Sequence, residues 1–228
     1  MDTPLTLDFF FRRAESLFPH KELVTATATG IERSNYGQWA ERTRHLGGAL
    51  ADLGVSEYGR VGTFAWNTAR HLELYFAVPC TNRVLHTLNI RLFADQIVYI
   101  ANHAEDEVIF VDRSLMALLW PLVDQLETVR HLIVMDDGDG EVPDDPRVLD
   151  YEELLSSASP VNFEVKDEKQ AASMCYTSGT TGNPKGVVYS HRSTYMHTIT
   201  PMTADGLGVC ESAVILPVVP MFHVNSWG

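Results

Sequence analysis

Apolar residues at helical spacing mark one helix near the start of the chain. Asn35 precedes it as a candidate N-cap, Gln38 at the third helical position completes a capping box, and Gly54 supplies a stop. The apolar face that this spacing defines comprises Trp39, Leu46, Ala49, Leu50 and Leu53. The pattern predicts an amphipathic α-helix between Asn35 and Gly54.

Short apolar runs alternate with helical stretches through the rest of the chain. Strands are predicted at residues 61–65, 84–87, 107–111, 131–135, 172–176 and 187–190. Helices are predicted at residues 68–78, 93–104 and 113–123. Strands and helices that alternate with short links favour an α/β fold, with a mostly parallel sheet and flanking helices.

Two polar segments interrupt this pattern. Residues 136–146, DDGDGEVPDDP, combine acids, glycines and prolines without an apolar period, which predicts a solvated surface loop. Their spacing does not fit the calcium loop of an EF-hand, so a calcium site is not favoured. Residues 161–170 are also polar and predict a linker, with a possible subdomain boundary near residue 160.

The charge balance limits the classes of partner. A formal net charge of -13, from 30 acidic and 17 basic residues, disfavours nucleic acid and anionic membranes. Asp2 precedes the first apolar residues and Arg12 and Arg13 follow them, which is the wrong order for a secretory signal. Apolar runs are shorter than the ~20 residues of a membrane span, and the three cysteines form no CxxC pair. We therefore expect a cytoplasmic protein without a transmembrane segment.

A loop rich in glycine and hydroxyl groups carries the clearest chemical signal. Residues 177–186, TSGTTGNPKG, lie between two apolar runs. Glycines allow backbone N–H groups to approach a ligand, hydroxyls can donate to phosphate oxygens, and Lys185 adds a positive charge. A Walker A loop is excluded, because Lys185 precedes its glycine and a strand follows instead of a helix. A hairpin turn needs similar residue types, but the unbroken ten-residue run favours a polyphosphate site.

This loop also resembles a known family signature. Residues 176–192, YTSGTTGNPKGVVYSHR, are similar to the phosphate-binding signature of the adenylate-forming superfamily, which includes acyl-CoA synthetases, luciferases and adenylation domains of peptide synthetases. Further stretches that resemble fatty-acyl-CoA ligases are WNTARHLELYFAVPC (66–80), HTLNIRL (86–92), HAEDEVIFVD (103–112) and PVVPMFHVNSWG (217–228). Residues 81–83, TNR, match least, since small residues and glycine are expected there.

The resemblance implies that residues 1–228 form the N-terminal portion of an AMP-binding domain, incomplete at its C-terminus and without the family's mobile C-terminal domain. It implies a two-step reaction, in which a carboxylate attacks the α-phosphate of Mg·ATP and the thiol of coenzyme A then displaces AMP. The expected substrates are a small carboxylic acid, ATP and coenzyme A, with Mg²⁺ as cofactor, and the parent enzyme is a possible homodimer. We expect the chain alone not to make acyl-CoA.

The identity of the acid stays open at this point. A medium- or long-chain fatty acid is the expected type, and HVNSW (residues 223–227) favours it modestly. A methylmercaptopropionate-CoA ligase, an aryl-CoA ligase or a peptide-synthetase adenylation domain are alternatives. A non-catalytic nucleotide-binding module that retains the loop is an alternative from another functional class.

The resemblance also assigns site residues. Candidates for holding the β- and γ-phosphates are Thr177, Ser178, Gly179, Thr180, Thr181, Gly182 and Lys185. Thr181 is the candidate Mg²⁺ ligand, and Lys185 and His223 are the catalytic candidates. His223 would orient the substrate carboxylate or change rotamer between the two steps. Trp227 would either border an acyl tunnel or pack in the core.

Three other residues near the loop are assigned structural roles. His191 and Arg192 are expected to cap and hydrogen-bond the next helix instead of contacting phosphate. Cys175 lies in an apolar strand without a paired histidine in the sequence, which favours a small core residue over a nucleophile.

Overall fold

The computed structural model describes residues 3–177, 183–223 and 225. Within those ranges the strands are β1 (Glu22–Thr27), β2 (Gly30–Asn35), β3 (Arg60–Phe64), β4 (Val84–Thr87), β5 (Asp106–Asp112), β6 (His131–Met135), β7 (Val148–Asp150), β8 (Ala171–Tyr176) and β9 (Gly186–Ser190). The α-helices there are α1 (Leu7–Leu17), α2 (Tyr36–Asp52), α3 (Ala69–Cys80), α4 (Ala94–Ala104), α5 (Met116–Leu119), α6 (Tyr151–Ser157) and α7 (His191–Met202).

One large sheet organises the molecule. Its strand order is β7-β6-β5-β3-β4-β8-β9, and every neighbouring pair is parallel except β8 and β9, which are antiparallel. Strands β1 and β2 form a separate antiparallel hairpin. The predicted α/β architecture with a mostly parallel sheet is therefore confirmed.

Helices cover both faces of this sheet, as a parallel sheet requires. Alternate residues of β5 point to opposite faces, so Val108 and Phe110 pack with α2, α3 and α6, whereas Ile109 and Val111 pack with α4 and α5. All four are fully buried. This explains why β5 appears in the sequence as a continuous apolar run and not as an alternating one.

The helix predicted from its caps and apolar face is confirmed as α2. The Asn35 side chain accepts a hydrogen bond from the backbone N–H of Gln38, and the Gln38 side chain accepts one from the backbone of Asn35. Trp39, Leu46 and Leu50 on its apolar face are buried. Local capping and core packing therefore define the same helix.

The single helix predicted for residues 113–123 is wrong. The chain there forms a 3₁₀ turn at Arg113–Leu115, the short α5, and a second 3₁₀ turn at Trp120–Gln125. Pro121 lacks a backbone N–H and cannot continue an α-helical hydrogen-bond ladder. The apolar residues of this stretch still pack against the sheet.

The predicted loop at residues 136–146 is confirmed, since it contains neither helix nor strand. Its description as solvated is wrong at one position. Asp137 is buried, and its carboxylate accepts hydrogen bonds from the backbone N–H and the hydroxyl of Ser114. At the weakly matching residues 81–83, Asn82 has a φ of 59°, a left-handed conformation that asparagine and glycine tolerate best.

Residues 158–165 cross closely over α2. The backbone N–H of Val161 donates to the carbonyl of Arg44 at 3.1 Å, and Phe163 is buried. Gly48 makes the crossing possible, because a Cβ atom at that position would overlap the carbonyl oxygen of Ser159. The possible subdomain boundary near residue 160 stays a prediction.

Replacing Gly48 with alanine should destabilise the protein, although the same change in an open helix stabilises by up to about 1 kcal/mol. The new methyl group would force apart α2 and the crossing segment, and such overpacking costs about 1–3 kcal/mol. Chemical denaturation of the Gly48→Ala variant measures this effect. Ala51→Gly, at an exposed position of α2, is the control and should lose only the helix propensity of alanine. A Gly48→Ala variant more stable than wild type would contradict the close crossing.

Candidate active site

Parallel pairing brings the carboxyl ends of β3, β4, β5 and β8 to one edge of the sheet. The chain extends from β3 to β4 on one side and returns to β5 on the other, so the strand order reverses at β3. In open α/β sheets, ligands bind outside the carboxyl ends of the strands near such a reversal. The glycine-rich loop follows β8 at this edge.

The base of this loop is a β-hairpin. Tyr176 pairs with Gly186 across β8 and β9, and the backbone N–H of Thr177 donates to the carbonyl of Lys185 at 3.0 Å. This places Thr177 and Lys185 opposite each other at the base, with the Lys185 side chain exposed. The other loop candidates lie outside the described residues: Ser178, Gly179, Thr180, Thr181 and Gly182.

Tyr176 connects the start of the loop to the body of the protein. Its hydroxyl lies 2.6 Å from Nδ1 of His103 on α4, and its ring lies 5.2 Å from the ring of His86. His86 in turn pairs with the carboxylate of Asp106 at 2.8 Å, and both side chains are fully buried. Burial raises the pKa of Tyr176 to about 12, so it keeps its proton at neutral pH. The strand that enters the loop is therefore held by polar contacts with α4 and packs against a buried pair.

A second polar arrangement fixes the turn after β3. The backbone N–H of Trp66 donates to Oδ2 of Asp112 at 2.6 Å, and its carbonyl lies 2.9 Å from Nδ1 of His71. Burial lowers the pKa of His71 to about 4, so the ring is neutral at physiological pH. Its Nδ1–H can then donate to Trp66, while Nε2 accepts from the hydroxyl of Thr63 at 3.0 Å. Both the backbone N–H and the carbonyl of Trp66 in this turn are therefore hydrogen-bonded.

His223 lies on a segment that returns to the same edge. Met221 and Phe222 are buried, whereas the His223 side chain is exposed, and its backbone N–H donates to the carbonyl of Pro220 at 2.9 Å. The hydroxyl of Thr87, at the carboxyl end of β4, bonds to Oδ1 of Asn225 at 2.9 Å. The structure thus brings His223 to the sheet edge that carries the loop, and the Trp227 candidate lies outside the described residues.

The residues assigned structural roles have structural partners. His191 is buried at the first position of α7, and its Nδ1 accepts a hydrogen bond from the backbone N–H of Leu7 at 3.3 Å. The guanidinium of Arg192 pairs with Glu168. Cys175 is buried in β8. The packing role predicted for Cys175 agrees with its burial. The capping role expected of His191 and Arg192 is wrong, because the Ser190 side chain caps α7 by accepting from the backbone N–H of Ser193, and the two side chains bond to Leu7 and Glu168 instead.

The described residues fit a phosphate group better than they fit a metal ion. Thr177 offers a hydroxyl and Lys185 an exposed cationic donor at the base of the loop. No group of three or more His, Cys, Asp or Glu side chains in residues 3–177, 183–223 and 225 is arranged to hold a metal ion. Thr181, the candidate Mg²⁺ ligand, lies outside the described residues, so its role stays a prediction.

No helix within residues 3–177, 183–223 and 225 combines the length and apolar character needed to cross a bilayer.

Comparison with known proteins identifies the family. The family model for AMP-binding enzymes matches residues 11–228. The chain belongs to this family. It is 46% identical over 229 residues to a long-chain-fatty-acid–CoA ligase of Thermus thermophilus, covering 100% of this chain and 41% of that protein. It is 42% identical over 231 residues to a 3-methylmercaptopropionyl-CoA ligase of Ruegeria lacuscaerulensis, covering 100% of this chain and 43% of that protein.

A solved structure gives the same fold. The long-chain-fatty-acid-CoA ligase of Archaeoglobus fulgidus superposes with a TM-score of 0.82 at 22% identity, covering 98% of this chain and 44% of that one. At this identity the similarity supports the fold alone. The chain thus spans about two fifths of the length of the curated family members it matches.

Four buried polar residues of the sheet and of α3 were missed by sequence reasoning. His71, His86, Asp106 and Asp112 lie within stretches that resemble fatty-acyl-CoA ligases, but no spacing rule indicates their partners. Their roles depend on contacts between elements that are separate in the sequence. An acidic residue directly after an apolar run, as Asp112 follows residues 108–111, is the one sequence signal that could have indicated a polar contact there.

Asp112 should make stability depend on pH. Burial raises the pKa of Asp112 from 3.8 to about 7. The folded state therefore favours the protonated carboxyl, and its contribution to stability is present at low pH and lost as the pH rises through about 7. Between pH 5 and pH 8 we expect wild type to lose about 2–3 kcal/mol relative to Asp112→Asn.

Urea denaturation at several pH values measures that difference. Asn at position 112 can still accept from Trp66, and any cost of its buried amide is the same at each pH. Exposed Asp144, changed to Asn, is the matched control and should follow wild type. Parallel pH profiles for wild type and Asp112→Asn would contradict the assignment.

Proposed function

We propose that the parent enzyme activates a carboxylic acid with ATP to form an acyl-adenylate and then transfers the acyl group to coenzyme A. This chain contributes the loop that binds the ATP phosphates. The observation that carries the proposal is the hairpin base, where Thr177 and Lys185 lie opposite each other at the carboxyl edge. Membership of the AMP-binding family supports it.

The proposed role of the loop is electrostatic. In the adenylation step, negative charge accumulates on the pyrophosphate leaving group, so fixed donors and a positive charge near it lower the barrier. Lys185 supplies the charge, and Thr177 with residues 178–182 supplies hydroxyl and backbone donors. Mg²⁺, when bound, would neutralise further phosphate charge, with Thr181 as its proposed ligand.

His223 is proposed to act on the acid and not on the phosphates. Its exposed imidazole follows two buried residues, Met221 and Phe222, so its backbone is fixed while its ring can meet a ligand. A neutral or protonated imidazole can orient a carboxylate by donating a hydrogen bond. Trp227 is proposed to border the acyl group.

The proposed acid is a medium- or long-chain fatty acid. The relative from Thermus thermophilus, named for long-chain fatty acids, is 46% identical to this chain. A short thioether acid is the second candidate, because the relative from Ruegeria lacuscaerulensis is named for 3-methylmercaptopropionate. A cytoplasmic location and a homodimeric parent enzyme are also proposals, which come from the sequence.

Replacing Lys185 with alanine should weaken ATP binding about tenfold, or by about 1.4 kcal/mol, because a charge-assisted contact to phosphate is lost. Isothermal titration of the purified chain with Mg·ATP measures the dissociation constant. Lys166→Ala removes an equally positive and exposed side chain outside the loop, and should bind as wild type does. Identical curves for Lys185→Ala and wild type would contradict the role of Lys185. A wild-type chain that does not bind ATP would contradict the proposed contribution of this chain.

A further inference from the structure

The side chain of Asn67 lies between the turn after β3 and the segment that carries His223. Its Nδ2 donates to the carbonyl of Pro217 at 2.9 Å and to the carbonyl of Val219 at 3.0 Å. Its Oδ1 accepts from the backbone N–H of Met221 at 2.7 Å. One amide thus uses both of its N–H groups and its oxygen on the backbone of a segment about 150 residues away, at a sequence separation of 150 to 154.

The three partners of Asn67 are alternate residues of one segment. Segment 217–221 forms no strand and includes a bend at residue 219, so its backbone groups are not paired in a sheet ladder. The Asn67 amide supplies hydrogen bonds to three of those backbone groups.

Asn67 is itself held in a fixed position. Its neighbour Trp66 is bonded through the backbone N–H to Asp112 and through the carbonyl to His71. On its other side, the Thr68 side chain caps α3 by accepting from the backbone N–H of His71. Asn67 therefore extends from a turn with little freedom, which is what a positioning contact requires.

The segment is also held at its C-terminal end. The hydroxyl of Tyr75, on α3, donates to the carbonyl of Met221. The Phe222 ring is buried in the core cluster that includes Phe64 and Leu88. Because Met221 and Phe222 are fixed, the direction in which His223 leaves the segment is fixed too.

We propose that Asn67 is a positioning residue, which sets the backbone of residues 217–221 and thereby places His223 at the carboxyl edge of the sheet. The value of this placement for acid activation rests on the proposed function, whereas the anchoring itself does not. Asparagine suits the role because the three contacts need two donors and one acceptor on one short planar group. A carboxylate of the same shape can accept but cannot donate.

The test compares Asn67→Asp with wild type in the purified chain without ligand. The carboxylate loses both donors and faces the carbonyls of Pro217 and Val219, so the segment should open more often. We expect hydrogen exchange at the Met221 amide to be at least about tenfold faster, as the loss of two hydrogen bonds implies. Asn162→Asp is the matched control: it adds the same charge, and its contact with Arg44 is retained. Exchange in this control should equal that of wild type.

A second readout reports on His223 itself. In ¹H–¹³C spectra, the Cε1–Hε1 signal of His223 is the one that disappears in His223→Gln. It should shift in Asn67→Asp and stay in place in Asn162→Asp. A general loss of stability would not move this signal selectively, so the shift separates positioning from a merely structural role.

Wild-type exchange at Met221 together with an unmoved His223 signal would overturn the proposal. If circular dichroism shows that Asn67→Asp does not fold, Asn67→Ser replaces it, because serine removes the contacts without adding charge. The same faster exchange is expected there, and unchanged exchange would again overturn the proposal. Neither measurement involves ATP, so failure of the proposed function would appear only in the ATP titration.

Discussion

Parallel pairing of β3 with β4, and of β4 with β8, is the constraint on which the rest of the site depends. The carboxyl ends of parallel strands lie at the same edge of the sheet, so residues from distant parts of the chain meet there although no sequence motif connects them. The base of the glycine-rich loop, the turn after β3 and the partner of Asn225 all lie at this edge. A change in strand order would separate them.

Buried polar groups lie at both ends of the parallel strands, with Asp112 at the carboxyl end of β5 and Asp106 at its first residue. His71, His86, Asp106 and Asp112 are all buried. Taking such groups out of water is unfavourable unless hydrogen bonds compensate. His71 and Asp112 bond to the backbone of the turn after β3, and His86, which pairs with Asp106, packs against Tyr176 at the end of β8. The compensation is incomplete, because Nε2 of His86 and Oδ1 of Asp112 have no hydrogen-bond partner among the described residues. The apolar clusters stabilise the fold, whereas these polar contacts determine where its loops begin.

The sequence patterns correctly predicted the helices and strands that are determined by residues close together in the chain. The α2 helix follows from a capping box and an apolar face within 20 residues, and β5 follows from its apolar run. The hairpin of β1 and β2 was not predicted, because most of its residues are exposed and give no clear alternation. The single helix predicted for residues 113–123 was wrong because the prediction gave more weight to the apolar periodicity than to Pro121, which interrupts an α-helix.

The residues of the candidate site also fall into two groups, those that sequence motifs indicate and those that only tertiary contacts reveal. Thr177, Lys185 and His223 were indicated by motifs that resemble a family, and each lies at the carboxyl edge. Asn67 and Asp112 could not be found this way, because their partners are as much as 154 and 46 residues distant in sequence, respectively. An asparagine or aspartate has a role here only once the fold supplies its partners.

The segment that carries His223 also links the strands of the edge to each other. Asn67 holds it from the end of β3, and Thr87 holds Asn225 from the end of β4. The Nδ2 of Asn225 in turn donates to the hydroxyl of Ser173 on β8 at 3.2 Å. Because β8 continues into the glycine-rich loop, the segment that carries His223 and the base of that loop are both anchored to β8. Two groups proposed to act on one reaction therefore share a rigid frame, although 38 positions separate Lys185 from His223 in the sequence.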